Sequence, residues 1–172
     1  MRSPHIPEPQ IDPTAVIAPN SHIFGDVVIG EDSFVLFGTV IRAEVDRIEI
    51  GKQTNVQDNS VIHCDENMPC LIGDRATLGH SVVVHAATVG DRCLIGIGAR
   101  LLNRSIVGEG AWVAAGSVLT EGSEIPPWTL AVGTPARPLR ELTVEEIRRA
   151  DEGVDHYLEL ANAYREIFSN VL

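Results

Sequence analysis

Three histidines, His63, His80 and His85, fall within the stretch DNSVIHCDENMPCLIGDRATLGHSVVVH, residues 58 to 85, at separations of 17 and 5. Neutral imidazoles bind transition metals and move protons near neutral pH. Neither interval fits a short zinc-finger or HExxH pattern. Only a fold that carries distant residues back to one place can turn these rings into a single site.

A repeat supplies that fold. IGEDSF, IGKQTN, IGDRAT, VGDRCL and VGEGAW are copies of one six-residue template, and IAPNSH, IRAEVD, LGHSVV and VAAGSV are looser ones. From Ile11 to Glu124 the chain divides into eighteen units with aliphatic first positions and Ala, Ser, Thr, Val or Cys at the fifth. A period of six suits neither a helix nor a long hairpin, but it suits a parallel β-helix whose rungs bury one another. Three units make a triangular rung, so eighteen predict about six coils. First and fifth positions are expected to face inward. The repeat breaks after IRAEVD by three residues, Arg47 to Glu49, and after the unit at Ile62 by four, while VHAAT is one residue short. These breaks bracket His63 to His85 and read as loops at a functional edge.

Beyond the coils, PPWTLAVGTPARPL reads as an irregular Pro- and Gly-rich bridge. TVEE is a capping-box pattern with Thr143 as cap and Glu146 at the third helical position. Ile147, Val154, Leu158, Ala161 and Ile167, with Tyr157 and Tyr164 beside them, form the expected apolar stripe. The expected organisation is a β-helix domain over 1–140, including the N-terminal lead-in and the bridge, and a helix over 141–172 packed on the solenoid.

The repeat converts into columns, because every third unit shares a face. Units at Ile41, Ile62 and Val84 share one, which places Arg42, His63 and His85 at equivalent second positions. Subtracting the four-residue insertion leaves one eighteen-residue coil between the two histidines, so their rings are expected about 4.8 Å apart in vertical register. That separation suits two ligands of one metal. His80 lies on the preceding face in column with Asp58 and does not turn toward the same point. A threefold assembly resolves this by bringing His80 of one chain to His63 and His85 of a neighbour. Three His nitrogens leave zinc an open position for a water, whose pKa the metal lowers to about 7. Cys64 beside His63 keeps a closed, four-ligand site in view.

The formal charge of −11 and the few Lys and Arg argue against nucleic acid and against an anionic membrane surface. Three irregularly spaced cysteines do not make a disulfide scaffold. No run approaches the roughly 18 apolar residues of a membrane span. MRSPHIPEPQ has no apolar leader core, so a cytoplasmic location is the default expectation.

VIRAE at 40–44, NVQDNSVIH at 55–63 and LGHSVVVH at 78–85 together resemble the gamma-class carbonic anhydrases, and the likeness extends from the Ile11 repeats through the C-terminal helix. The resemblance implies an all-β solenoid, a left-handed parallel β-helix with a C-terminal α-helix; spacing alone does not set the hand. It further implies homotrimers with metals at subunit boundaries and reversible hydration of carbon dioxide to bicarbonate. The ligands would be His63, His80 and His85, with His80 supplied across the boundary. The cofactor would be Zn2+, with Fe2+ or Co2+ as alternatives. Gln57 is similar to the glutamine that orients metal-bound water, and Arg42 and Asp58 to an interfacial ion pair. Glu44 stands where the family more often has Asp. Asp65 or Glu66 is a candidate proton relay.

Two other readings fit the repeats: an acyltransferase using coenzyme A donors between subunits with a histidine base, and a metal-stabilised trimeric scaffold. Asn103 and Arg104, one rung beyond His85, border the same edge or simply pack the coil. His5, His22 and His156 lack comparable columns, and Trp112 and Trp128 read as packing anchors.

Overall fold

The computed structural model describes residues 6–169, so His5 lies outside the described residues. The chain forms a left-handed parallel β-helix followed by one α-helix, Val144–Ser169. Each rung has three short strands. The first face stacks the beginnings of His22–Ile29 and Val40–Ile50, then Val61–His63, Val83–His85, Arg100–Leu101 and Val118–Leu119. The second stacks Gln10–Ile11, the ends of the same two long strands, Cys70–Ile72, Thr88–Val89, Ile106–Val107 and Glu124–Ile125. The third runs from Val16–Ile17 through Phe34–Val35, Asn55–Val56, Thr77–Leu78, Leu94–Ile95 and Trp112–Val113 to Thr129–Gly133.

The six-residue period works because each two-residue strand turns one side chain inward and the next outward. On the first face Ile41, Ile62, Val84, Leu101 and Leu119 pair in sequence and are fully buried. Branched side chains on this inward column fill a narrow triangular core with little rotamer entropy to lose. Some corners leave no room for a Cβ: one added at Gly51 would sit 2.3 Å from Asp74 Oδ1 and 2.6 Å from the Gly73 carbonyl carbon.

Three expectations need correction. The three extra residues of the first interruption fall within 44–47, not at 47–49: Gly25 pairs with Ala43 and Val27 already pairs with Ile48, so four residues of one strand oppose Asp26 alone. Val45, expected inside as a fifth position, is half exposed, because the buried Ile48 takes up the inward register with Cys70. Gly25 has φ of +90°, and a Cβ there would meet the Ala43 carbonyl oxygen, so glycine is required at this kink. The second interruption is a tight excursion closed by reciprocal backbone hydrogen bonds between Asp65 and Met68. Both interruptions therefore stack at the corner between the first and second faces. The third correction concerns the bridge, which is not irregular. Ala131 is buried in register with Val113, and Ala136–Glu141 folds back antiparallel to cover the edge strand.

Thr143 and Glu146 make the expected capping box: the Glu146 N–H donates to Thr143 Oγ1 at 3.2 Å, and the Thr143 N–H donates to Glu146 Oε2 at 2.8 Å. The helix seats Val154 and Ala161, with Tyr157, Leu160, Tyr164 and Phe168 packing around Val16, Phe34 and Leu36. Ile167, expected in the stripe, is exposed because Tyr164 and Phe168 take the seam against Phe37. Ion pairs of Asp155 with Arg75 and of Asp151 with Arg92 hold the helix near its start, and Arg92 also lies over the Trp128 ring. Among the described residues no helix is long and apolar enough to cross a membrane.

Candidate functional site

The vertical register on the first face is observed. Arg42 pairs with His63, and His63 with His85. All three side chains point outward from strands whose inward neighbours, Ile41, Ile62 and Val84, are locked in the core. The His63 and His85 rings lie 5.0 Å apart between centroids, with His63 Nδ1 and His85 Nε2 at 3.0 Å.

These rings sit inside a continuous ladder of polar contacts. Asn103, one rung on, places Oδ1 2.6 Å from His85 Nδ1, and its Nδ2 donates to Asp65 Oδ2 at 3.0 Å. At the other end His63 Nε2 lies 3.3 and 3.4 Å from the two Glu44 oxygens. Glu44 is ion-paired with Arg42. A carboxylate only accepts, so Asn103 must donate to Asp65 and accept from His85. His85 therefore carries its proton on Nδ1 and accepts from His63 Nδ1. Burial, the Arg42 guanidinium and His85 hold His63 below its ordinary pKa, against a smaller opposing effect of Asp65. Asp65 is held low by the Glu66 backbone N–H and by Asn103.

A second constellation occupies the corner between the third and first faces. His80 Nδ1 lies 2.8 Å from Asp58 Oδ2, and the imidazole is 43% exposed. The two residues stack because their turns do: the Ser81 N–H donates to the Asp58 carbonyl. Asp58 can only accept, so His80 donates from Nδ1, and among the described residues its Nε2 has no hydrogen-bond partner.

Other expected residues fall elsewhere. Gln57 is almost fully buried, and its amide donates to Asn55 Oδ1 at 3.1 Å, away from the imidazole ladder's hydrogen bonds. Within one chain Arg42 and Asp58 do not pair: their partners are Glu44 and His80. Cys64 is buried and its thiol donates to the Asp46 carbonyl, so it faces away from the site. Glu66 is exposed on the loop. Arg104 points to Glu121 at 3.4 Å. His156 packs edge-on to Tyr157, and Trp128 closes over Gly110, as packing residues do. The sequence reading gave Asn103 no bond of its own. Its place one coil after His85 was the available signal.

No family model matches the chain. A protein of Geobacillus kaustophilus named carbonic anhydrase is 45% identical over 92% of this chain and 87% of its own length. Among solved structures, a Bacillus cereus protein described as a candidate acetyltransferase is 39% identical with a TM-score of 0.92, covering 93% of both chains. A hexapeptide transferase family protein of Anaplasma phagocytophilum is 41% identical with a TM-score of 0.88, covering 91% of this chain and 92% of that one. The chain belongs to the hexapeptide-repeat superfamily of left-handed β-helices. Within that superfamily it is related to both the gamma carbonic anhydrase and the acyltransferase branches. This hexapeptide-repeat chain spans 58% and 59% of the length of two mitochondrial gamma carbonic anhydrases of Arabidopsis thaliana, with 38% and 40% identity. A perosamine N-acetyltransferase of Caulobacter crescentus, solved with coenzyme A, is 27% identical with a TM-score of 0.57, covering 77% of this chain and 57% of that one.

These findings correct the expected chemistry. Among the described residues no group of three His, Cys, Asp or Glu side chains converges on a point that would hold a metal ion. The physical reason is the ladder itself: the facing nitrogens of His63 and His85 bond one another, their outer nitrogens face Glu44 and Asn103, and His80 is turned to Asp58. Within one chain these side chains form no three-donor metal site, and the solved relatives named above are transferases by name. The expectation of a zinc-dependent carbonic anhydrase, a lyase, is withdrawn, and the acyltransferase alternative fits better.

Proposed function

We propose that this protein transfers an acyl group from a coenzyme A thioester to a small nucleophilic acceptor, with His80 as general base and Asp58 as its orienting carboxylate. The observation that carries this reading is the 2.8 Å dyad: among the described residues His80 Nε2 has no hydrogen-bond partner, whereas both ring nitrogens of His63 and of His85 have one. A base needs an open lone pair within reach of the proton it removes. As the acceptor's nitrogen or oxygen attacks the thioester carbonyl carbon, His80 Nε2 takes its proton. The carbon–sulfur bond then breaks, and the imidazolium returns the proton to the departing coenzyme A thiolate. Asp58 keeps the ring in the productive tautomer and stabilises the transient imidazolium.

By sequence kinship we place the chain beside the gamma carbonic anhydrase branch, which is a statement of descent and not of reaction. We further propose a threefold assembly in which the dyad of one chain faces the imidazole ladder of the next. Supporting this, Phe24 and Leu102 flank the ladder, while Ile97 precedes Gly98, whose N–H donates to the His80 carbonyl, and Phe24, Leu102 and Ile97 are 51%, 38% and 58% exposed. Burying such apolar area between copies supplies assembly energy at about 25 cal/mol per Å².

Thiol release from acetyl-coenzyme A, followed with a panel of amines and alcohols after chelator treatment, tests the reading. Turnover by the wild type and its loss in His80→Ala are expected. No acceptor-dependent release with any acceptor, from folded protein, counts against it.

A further inference from the structure

The helix packs on the third face, and the ladder and the dyad take up the first face and its corner, which leaves the second face. Its outward column runs through Val28, Glu49, Leu71, Thr88 and Ile106, in register from rung to rung. Two residues further along successive coils, Gly30, Gly51, Gly73 and Gly90 stack without side chains, whereas the same second position on the first face carries Arg42, His63 and His85. The result is a groove with a glycine floor. About 480 Å³ lies between a wall of Val28, Glu49 and Leu71 and a wall of Lys52, Asp74 and Asp91. A hollow of about 390 Å³ shares Val28, Gly30 and Lys52 with it and carries the groove on to Ile11. The polar groups of the floor are already used. The Gly51 N–H donates to the Ile72 carbonyl and the Gly73 N–H to the Val89 carbonyl, while the carbonyls of these two glycines accept from the Ser33 and Thr54 hydroxyls. A partner therefore gains apolar contact here and no main-chain ladder. Charge distinguishes the walls. Glu49 is ion-paired with Arg47 and Lys52 with Glu31. Asp74 and Asp91 form no ion pair among the described residues, since the neighbouring Arg75 and Arg92 are taken by Asp155 and Asp151 of the helix. Each of the two aspartates accepts one backbone N–H on Oδ1, from Lys52 and from Asp74 respectively.

We infer that this groove is the docking surface for a basic amphipathic helix of a partner protein. Charge decides the sign of the partner: a second copy of a chain at −11 would set acidic wall against acidic wall. Spacing decides its form. Rungs lie about 4.8 Å apart, so Val28 and Leu71, two rungs apart, are separated by about 9.6 Å, and Asp74 and Asp91, on successive rungs, by about 4.8 Å. A helix carries residues seven apart over about 10.5 Å of its axis on one face, and residues three apart over about 4.5 Å. Apolar side chains at the first spacing meet Val28 and Leu71 over the glycine floor, and Lys or Arg at the second spacing reach Asp74 and Asp91. An extended strand puts its same-side residues about 6.8 Å apart and matches neither interval. The groove uses no residue of the dyad or the ladder, so this inference stands or falls apart from the acyl-transfer reading.

The test titrates the full chain into fluorescein-labelled three-heptad peptides and follows fluorescence anisotropy. One peptide repeats Leu at seven-residue spacing, with Lys residues three apart beside it on an Ala background. A second replaces Lys by Glu, and a third has the composition of the first rearranged so that Leu and Lys alternate as in a strand. Saturable binding of the first peptide alone is expected. Asp74→Asn with Asp91→Asn keeps an oxygen to accept each backbone N–H and is expected to weaken that binding about 3- to 30-fold. Glu141→Gln with Glu159→Gln removes the same charge from exposed positions off the second face and is expected to change it by less than about 2-fold. Leu71→Ser is expected to weaken it on the order of 10-fold with the circular dichroism of the chain unchanged. No binding of the first peptide, equal binding of the third, or equal weakening by the two charge pairs overturns the inference. So does self-association of the peptide-free chain that Leu71→Ser abolishes, which would assign the groove to a second copy.

Discussion

Asp58→Asn isolates what the carboxylate contributes to His80. The substitution keeps the size of the side chain and the backbone bond from the Ser81 N–H, but removes the charge 2.8 Å from His80 Nδ1. A hydrogen bond to a charged group contributes about 1.5–3 kcal/mol. Asp58 is 29% exposed and His80 43%, so solvent screening reduces this to about 1–2 kcal/mol. Spent on orienting the base in the transition state, that corresponds to a fall of about 5- to 30-fold in kcat/KM. The assay is coenzyme A release at saturating acyl donor and varied amine, with circular dichroism and thermal unfolding compared alongside. A variant that folds like the wild type and turns over unchanged, while His80→Ala is inactive, would refute the dyad argument and leave His80 acting alone.

Three further outcomes are expected. Leu101→Ala removes a fully buried side chain stacked between Val84 and Leu119, and should lower urea-unfolding stability by about 2–5 kcal/mol; a loss under about 1 kcal/mol would mean the rungs collapse around the gap. Burial pushes the Cys70 and Cys93 thiols up to about 12. They should resist iodoacetamide at pH 8 until urea unfolds the chain, and their contribution to stability, present below the unfolded value near 9, should be lost as pH rises toward 12. Glu146 is held down to about 2, first by Arg140 and then by the Thr143 backbone N–H. Its capping contribution is present above about pH 4.5 and is lost as pH falls toward 2, so helix melting followed by circular dichroism should show that dependence and Glu146→Gln should flatten it.

The period of six carried most of the fold, since an aliphatic residue at each first position dictates which side chain every short strand turns inward. Register between Arg42, His63 and His85 followed from counting coils and insertions. Counting did not locate the insertion itself: whether Val45 or Ile48 is buried depends on which residue meets Val27 across the rung. The coiled continuation at Ala131 was obscured by flanking prolines that end in a hairpin. At the site, columns identified neighbours but not partners. Asp58 and His80 stack as the columns imply, while the pairing of Asp58 with Arg42, which the family resemblance implies across a chain boundary, is not made within one chain, where Glu44 lies beside that guanidinium. Nor does a column reveal which way an imidazole turns about its χ angles, and that rotation separates a ladder of hydrogen bonds from a convergent metal site.

Mixed assembly tests the central claim, that His80 of one chain works against the imidazole ladder of the next, most directly. His80→Ala and His63→Ala chains, the first expected to be inactive and the second impaired as a pure trimer, are unfolded together in equal amounts and refolded. Each boundary of a threefold ring is intact when its dyad and its ladder come from the appropriate variants, so about a quarter of wild-type acyl-transfer activity should return. No recovery from well-folded mixed trimers would contradict the shared site.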